Sequence, residues 1–127
     1  MLIHSFLAIG LGAVIGAWLR WGLALWLNGM HPVLPFGTLA ANLLGGYAVG
    51  FAIAYFAQHP GIAPEWRLFL ITGLLGGLTT FSTFSAELFT LFARAQVLAG
   101  LALAGLHVLG SLAMTGLGVW TFRWLRT

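Results

Sequence analysis

The sequence contains no cysteine, no lysine and no aspartate, and its charged side chains are five arginines and two glutamates among 127 residues. Without cysteine, the chain has no disulfide, no thiolate nucleophile and no cysteine metal site. A soluble domain is about one-quarter charged, so this composition cannot form a water-facing surface. It argues against a soluble enzyme, a disordered tail and a nucleic-acid-binding protein, since the last also needs a basic cluster.

Apolar residues take the place of the missing charges: 61% of the chain is hydrophobic and the mean hydropathy is +1.02. A helix that crosses about 30 Å of hydrocarbon needs about 20 apolar residues. Four runs have this length, at about Leu2–Leu27, Phe36–Ala57, Trp66–Phe92 and Ala95–Phe122. Strand alternation is absent. We therefore predict an all-α integral membrane protein, with four transmembrane helices in a single domain over residues 1–127.

The arginines are divided almost evenly between the two sides of the predicted membrane. With four spans, one side carries Arg67, Arg123 and Arg126, and the other carries Arg20 and Arg94. Arginine counts near the ends of spans set the orientation, and three against two is almost no bias. Two interpretations follow. Either other features fix the orientation weakly, or the chain inserts both ways and pairs as an antiparallel dimer.

Polar and small residues recur every four positions in two of the spans. Such residues share one face of a helix, and they are Thr38, Asn42, Gly46 and Gly50 in the second span and His107, Ser111 and Thr115 in the fourth. One interpretation is close packing of small residues, with Asn42 bonding between helices. The other is a polar track in which the Asn42 amide donates hydrogen bonds to an ion. His107 has no acid at metal-ligand spacing.

The third span concentrates glycine, serine and threonine between residues 72 and 87. Glycine costs about 1 kcal/mol in a helix interior, so we predict that the helix breaks mid-membrane, near Gly76–Thr80. A break is tolerated there when it is buried in protein or lines a cavity. It frees carbonyl groups that can hold a cation and N–H groups that can face an anion. The alternative is a glycine-rich kink that only helps packing.

Two phenylalanines follow the predicted break. Phe81 and Phe84 share a helix face and alternate with the hydroxyl residues Ser82 and Thr83. The edge of an aromatic ring carries partial positive charge, so these rings can stabilise a small anion without a formal charge. The charged residues lie nearer the ends of spans. Arg20 either extends to the interface or forms an electropositive vestibule, and the role of Glu87 is left open.

Three ordered motifs resemble those of one family. Residues 73–87 read GLLGGLTTFSTFSAE, residues 12–21 read GAVIGAWLRW and residues 37–45 read GTLAANLLG. Together they closely resemble the signature of the Fluc/CrcB fluoride channels. The resemblance implies a dual-topology, antiparallel homodimer with two pores, which passively exports fluoride across a bacterial inner membrane without ATP or a redox cofactor.

The resemblance also implies a structural sodium ion at the dimer centre, held by the backbone carbonyls of Gly76 and Thr79. It places the phenylalanine pair of the pore on Phe81 and Phe84, the pore asparagine on Asn42 and the fourth-span serine on Ser111. With the polar residues described above, the expected fluoride pore comprises Thr38, Asn42, Phe81, Ser82, Thr83, Phe84, His107 and Ser111. The expected vestibule comprises Arg20 and Glu87. The expected partners are fluoride, a second copy of the chain and membrane lipid, with no nucleic acid.

Two other function classes compete with the channel. A proton-coupled small multidrug transporter also has four spans, but it needs a membrane-embedded acid, and the only candidate is Glu87 near the end of the third span. A structural or assembly subunit would account for the small-residue stripes. It would not account for the hydroxyl residues that follow the predicted break.

Overall fold

The computed structural model describes all 127 residues and consists of helices and their connections. The helices are α1 (Leu2–Leu27), α2 (Phe36–Gln58), α3 (residues 64–78), α4 (Ser82–Ala93) and α5 (Val97–Leu125). Four segments are long and apolar enough to cross a membrane: Leu2–Met30, Phe36–Gln58, Pro64–Ala93 and Val97–Leu125. The predicted all-α architecture with four spans is confirmed.

The third span is divided into two helices, α3 and α4, and the middle of α3 is π-helical. In α3, an α-helical turn at Pro64–Arg67 leads into π-helix at Leu68–Leu75 and back to α-helix at Gly76–Leu78. Proline is well suited to the first position of a helix, where its missing N–H has no partner to lose. After Leu78 the backbone of Thr79 is extended, with φ −86° and ψ 155°. Residues 79–81 therefore separate α3 from α4.

Short connections are closed by specific hydrogen bonds. Between α4 and α5, Ala95 adopts a left-handed conformation with φ 59°, the Ala95 N–H donates to Phe92 O, and the Gln96 N–H donates to Leu91 O. This is a Schellman termination, which usually has glycine at the left-handed position. It produces the tight helical hairpin expected around Arg94.

Glycines bring the helix backbones into direct contact at two interfaces. A Cβ added at Gly16 of α1 would overlap the carbonyl of Leu74, and one at Gly77 of α3 would lie 2.6 Å from Ala13 O. The same holds between α2 and α5, where a Cβ at Gly50 would overlap the Thr115 carbonyl. Small residues at such crossings allow the close approach on which packing between membrane helices depends.

The outer surface is dominated by large apolar side chains. Only 20 of the 127 residues are buried, while Phe6 of α1 and Leu98 of α5 are 72% and 81% exposed. In water such a surface would aggregate, whereas in a bilayer it contacts lipid or a second subunit. The four membrane-spanning segments therefore form one sparsely buried membrane bundle in which α1 packs on α3, and α2 packs on α5.

Candidate functional site

The two polar stripes predicted from the sequence face each other along the interface between α2 and α5. In one half of this interface, Gly46 and Gly50 lie against the backbone of Ser111 and Thr115. The Thr115 hydroxyl donates to Gly46 O at 3.0 Å and shares its proton with Ser111 O at 2.9 Å. The Thr115 hydroxyl is thus satisfied by backbone carbonyls, so the packing interpretation describes this packed half.

The other half of the interface is organised by the amide of Asn42. Its Oδ1 accepts the Thr80 N–H at 2.8 Å, and its Nδ2 donates to Thr80 O at 3.0 Å and to His107 Nδ1 at 2.9 Å. A backbone N–H can only donate, so the bond from Thr80 fixes which end of the amide is oxygen. Asn42 of α2 thus connects Thr80, 38 positions away in sequence, to His107 of α5, 65 positions away.

These bonds also determine the protonation pattern of His107. Because Asn42 Nδ2 is a donor, His107 Nδ1 must accept, and the neutral ring carries its proton on Nε2. The His107 side chain is only 3% exposed, and its Nε2 is buried without a partner. The ring of Phe84 stacks on the imidazole, with centroids 4.3 Å apart and planes 28° apart. The site therefore contains a rigidly held, buried N–H donor that no protein acceptor satisfies.

A cavity of about 310 Å³ adjoins these groups and will be called the Asn42 cavity. Its wall consists of Asn42, Thr79, Thr80, Phe81, Phe84, His107, Val108 and Ser111. The rings of Phe81 and Phe84 meet edge to face, with centroids 5.7 Å apart. Phe84 is 6% exposed and Phe81 is 78% exposed. Polar side chains and aromatic rings thus line a space that can hold a small anion.

A second cavity, of about 320 Å³, lies near the start of α2 and will be called the Glu87 cavity. The Thr38 hydroxyl donates to Glu87 Oε2 at 3.0 Å, while Glu87 Oε1 is buried without a partner. Arg94 and Thr83 line the same cavity. Thr38 lies in the first turn of α2, and the partial positive charge of a helix N-terminus stabilises a nearby carboxylate such as that of Glu87.

The predicted vestibule residues do not lie together, and two predicted pore residues lie outside the Asn42 cavity. Arg20 does not line the Glu87 cavity; its Nε donates to Gly77 O at 3.0 Å, at the carboxyl end of α3. A cation at that end of a helix offsets the partial negative charge of its carbonyls. Ser82 and Thr83 are exposed in the first turn of α4 and do not line the Asn42 cavity.

The carbonyls of Gly76 and Thr79 lack their helical hydrogen-bond donors. In a continuous helix they would accept from Thr80 and Thr83, four positions further on. Instead the Thr80 N–H donates to Asn42 Oδ1 and the Thr83 N–H donates to Thr80 Oγ1 at 3.1 Å. Free carbonyl oxygens of this kind are ligands that hard cations accept.

Two residues that organise the site, Thr80 and Asn28, are not among the site residues predicted from the sequence. Thr80 bonds to Asn42 through both backbone groups and lines the Asn42 cavity. Asn28 caps α2, because its Oδ1 accepts the N–H groups of Gly37 at 2.7 Å and Thr38 at 3.3 Å. Thr80 is part of the 73–87 motif, so its place three residues after Gly77 was an available signal. No sequence pattern indicated the Asn28 cap.

This chain is similar in sequence to proteins that share one family and one name. A family model described as "CrcB-like protein, Camphor Resistance (CrcB)" matches residues 7–119. A fluoride-specific ion channel FluC of Thiobacillus denitrificans is 58% identical over 122 residues, which cover 96% of this chain and 98% of the relative. The FluC proteins of Pseudomonas putida and Pseudomonas paraeruginosa are 58% and 60% identical over 121 residues, with 95% of each sequence covered.

These relatives carry the name of an ion channel rather than of an enzyme, and all three come from bacteria. The matches cover all four membrane-spanning segments, since they extend over nearly the whole chain. Together with the four apolar helices, they identify a multi-pass bacterial membrane protein.

Proposed function

The chain belongs to the CrcB family, and we propose that it is a fluoride-selective channel that passively exports fluoride and lowers its cytoplasmic concentration. The observation that supports the proposal is the Asn42 cavity, in which the Ser111 hydroxyl and the rings of Phe81 and Phe84 line a space of about 310 Å³ beside Asn42.

The composition of the cavity supports a pathway for fluoride. Burying a bare, strongly hydrated anion is very costly, so a pore must replace its water with compact donors. The Ser111 hydroxyl supplies a donor, and the ring edges of Phe81 and Phe84 supply partial positive charge. Lysine is absent from the chain and no arginine lines the cavity, so no formal positive charge in the cavity wall holds the ion, which must also be released.

We infer further that the pore is completed in an antiparallel homodimer with two pores. In a single chain Phe81 is 78% exposed and the Asn42 cavity is open at the surface, so a second copy can cover it. The near-even distribution of arginines permits insertion in both orientations. The similar lengths of α3 and α4 support a position near the middle of the membrane for residues 79–81.

A structural sodium ion fits the free carbonyls of Gly76 and Thr79, and we propose that these oxygens hold it at the dimer centre. Neither carbonyl has its helical donor, and Gly76 is exposed on the single chain, where a second copy can contribute the same pair. When bound, the ion supplies positive charge that neutralises the carbonyl dipoles. Arg20 already occupies the intervening Gly77 carbonyl.

The experiment that tests the function is fluoride efflux from proteoliposomes, measured with an ion-selective electrode beside a chloride electrode. We expect fluoride to leave rapidly and chloride to stay. The variant Phe81→Ile should slow fluoride efflux at least about tenfold, which corresponds to about 1.4 kcal/mol. Phe89→Ile is the matched control, because Phe89 is 75% exposed on α4 but lies outside the Asn42 cavity; it should leave efflux unchanged.

Two results would contradict the proposal. Equal fluxes of fluoride and chloride would exclude fluoride selectivity. Uptake of an organic cation driven by a pH gradient and abolished by Glu87→Gln would instead establish the multidrug transporter. Recovery of Phe81→Ile as the same dimer on size exclusion separates a transport defect from an assembly defect.

A further inference from the structure

A long apolar groove runs along the bundle between α2, α3 and α5 and shares no lining residue with the Asn42 cavity. Its volume is about 770 Å³, and ten of its 11 lining residues are hydrophobic. On α2 the lining extends from Tyr47 to Phe56, which is about 14 Å at 1.5 Å per residue. That length is close to half of the roughly 30 Å hydrocarbon thickness, so the groove spans about one leaflet.

Two arginines lie at one end of this apolar groove. The Arg67 guanidinium is 5.4 Å from the centre of the Phe56 ring, which is part of the groove wall. The Arg126 guanidinium is 5.8 Å from the Phe122 ring and follows Leu125, another wall residue. Both phenylalanines are buried. The rings therefore hold the two cations beside the mouth of the groove.

Neither arginine is neutralised by the chain itself. Arg126 donates to the neutral Gln58 Oε1 at 3.1 Å, and the Arg67 guanidinium lies over the Phe56 ring without a hydrogen bond or an ion pair. Of the two glutamates, Glu87 bonds to Thr38, and Glu65 lines a separate groove beside His4.

We propose that the apolar groove binds an anionic phospholipid, with an acyl chain along α2 and the phosphate on Arg67 and Arg126. Charge complementarity at the mouth of the groove and an apolar lining of leaflet length behind it support this assignment. The exposed rings of Trp66 and Trp124 lie at the same end of the spans, where tryptophan favours the membrane–water interface. The site is independent of the fluoride pathway and does not depend on the proposed function.

The test is native mass spectrometry of the detergent-solubilised full-length protein, titrated separately with phosphatidylglycerol and phosphatidylcholine. One basic residue at an anionic lipid surface contributes about a fivefold preference. Phosphatidylglycerol should therefore bind more tightly than phosphatidylcholine, and the double variant Arg67→Gln/Arg126→Gln should reduce this preference by about 25-fold. Arg123→Gln is the matched control, since Arg123 is exposed on the same last turn but contacts neither ring; it should change the preference less than twofold.

A second variant tests the groove itself. Ala52 lines it, so Ala52→Leu should weaken the binding of both lipids by filling the space of the acyl chain. Equal binding of the two lipids, or an unchanged preference in the double variant, would overturn the proposal. It would also be overturned if Ala52→Cys formed a disulfide between subunits in membranes, because a second copy would then occupy the groove. The absence of native cysteine makes that cross-link unambiguous.

Discussion

The two halves of the α2–α5 interface have the same four-residue spacing of small and polar residues, but one half is closely packed and the other borders a cavity. In the packed half, Gly46 and Gly50 let the backbones touch, and the Thr115 hydroxyl is satisfied by carbonyls. In the half around Asn42, the amide reaches across to Thr80 and His107, and one buried donor stays free. The difference shows that spacing places residues on one face, while side-chain size and bonding partners decide whether that face closes or holds a cavity.

The variant Gly50→Leu should have the largest effect, because it forces the packed half apart. Even a Cβ at Gly50 would overlap the Thr115 carbonyl, which is backbone and cannot rotate away. Overpacking of this kind costs about 1–3 kcal/mol or more, so we expect little folded protein and a lowered melting temperature on heated size-exclusion chromatography. Gly116→Leu is the control, since a Cβ there meets nothing within 4 Å. Equal melting temperatures for the two variants would show that close backbone contact is unimportant.

The variant Asn42→Asp should have an intermediate effect on stability and a large one on transport. The new carboxylate still accepts the Thr80 N–H but donates neither to Thr80 O nor to His107 Nδ1. Two hydrogen bonds of about 1 kcal/mol each are lost, and a negative charge enters the cavity. We expect stability to fall by about 2 kcal/mol and fluoride efflux by at least about tenfold. If the variant exported fluoride as fast as the parent, Asn42 would not be part of the fluoride pathway.

The variant Thr115→Val should have the smallest effect, because it removes one hydroxyl and preserves shape. Gly46 O and Ser111 O lose a bond from the side chain, although both remain in helices. The cost should be about 1 kcal/mol or less in thermal unfolding, with fluoride efflux unchanged. Slower efflux at unchanged stability would extend the pathway into the packed half and remove the contrast between the halves.

Much of the fold could be predicted from composition and length. Four long apolar runs predict four helices, and the prolines lie in or beside the connections before α2 and α3. The stripes on α2 and α5 could also be predicted, because four-residue spacing fixes a helix face. The π-helical turns of α3 could not, since the segment Leu68–Leu75 has no glycine or proline before Gly73.

The site was less predictable, because it depends on contacts between segments far apart in sequence. Arg20 was expected either at the interface or in a vestibule, but it bonds to Gly77 O, 57 positions away. The contact follows from Gly12 and Gly16, which bring the same face of α1 against α3. One interpretation made the Asn42 amide a donor to an ion. In the structure its Nδ2 donates to Thr80 O and His107 Nδ1. The buried donor without a partner is His107 Nε2, on the residue to which Asn42 bonds.

The reciprocal bonds between Asn42 and Thr80 give Thr80 the pair of backbone hydrogen bonds that a neighbouring β-strand normally supplies. A side-chain amide has the same donor and acceptor as a peptide group, so it satisfies both backbone groups of Thr80 as a ladder partner would. The backbone at Thr80 is thereby secured without any sheet. Closing residues 79–81 into continuous helix would require breaking both bonds at once. One asparagine thus acts as a peptide surrogate for the irregular backbone between α3 and α4.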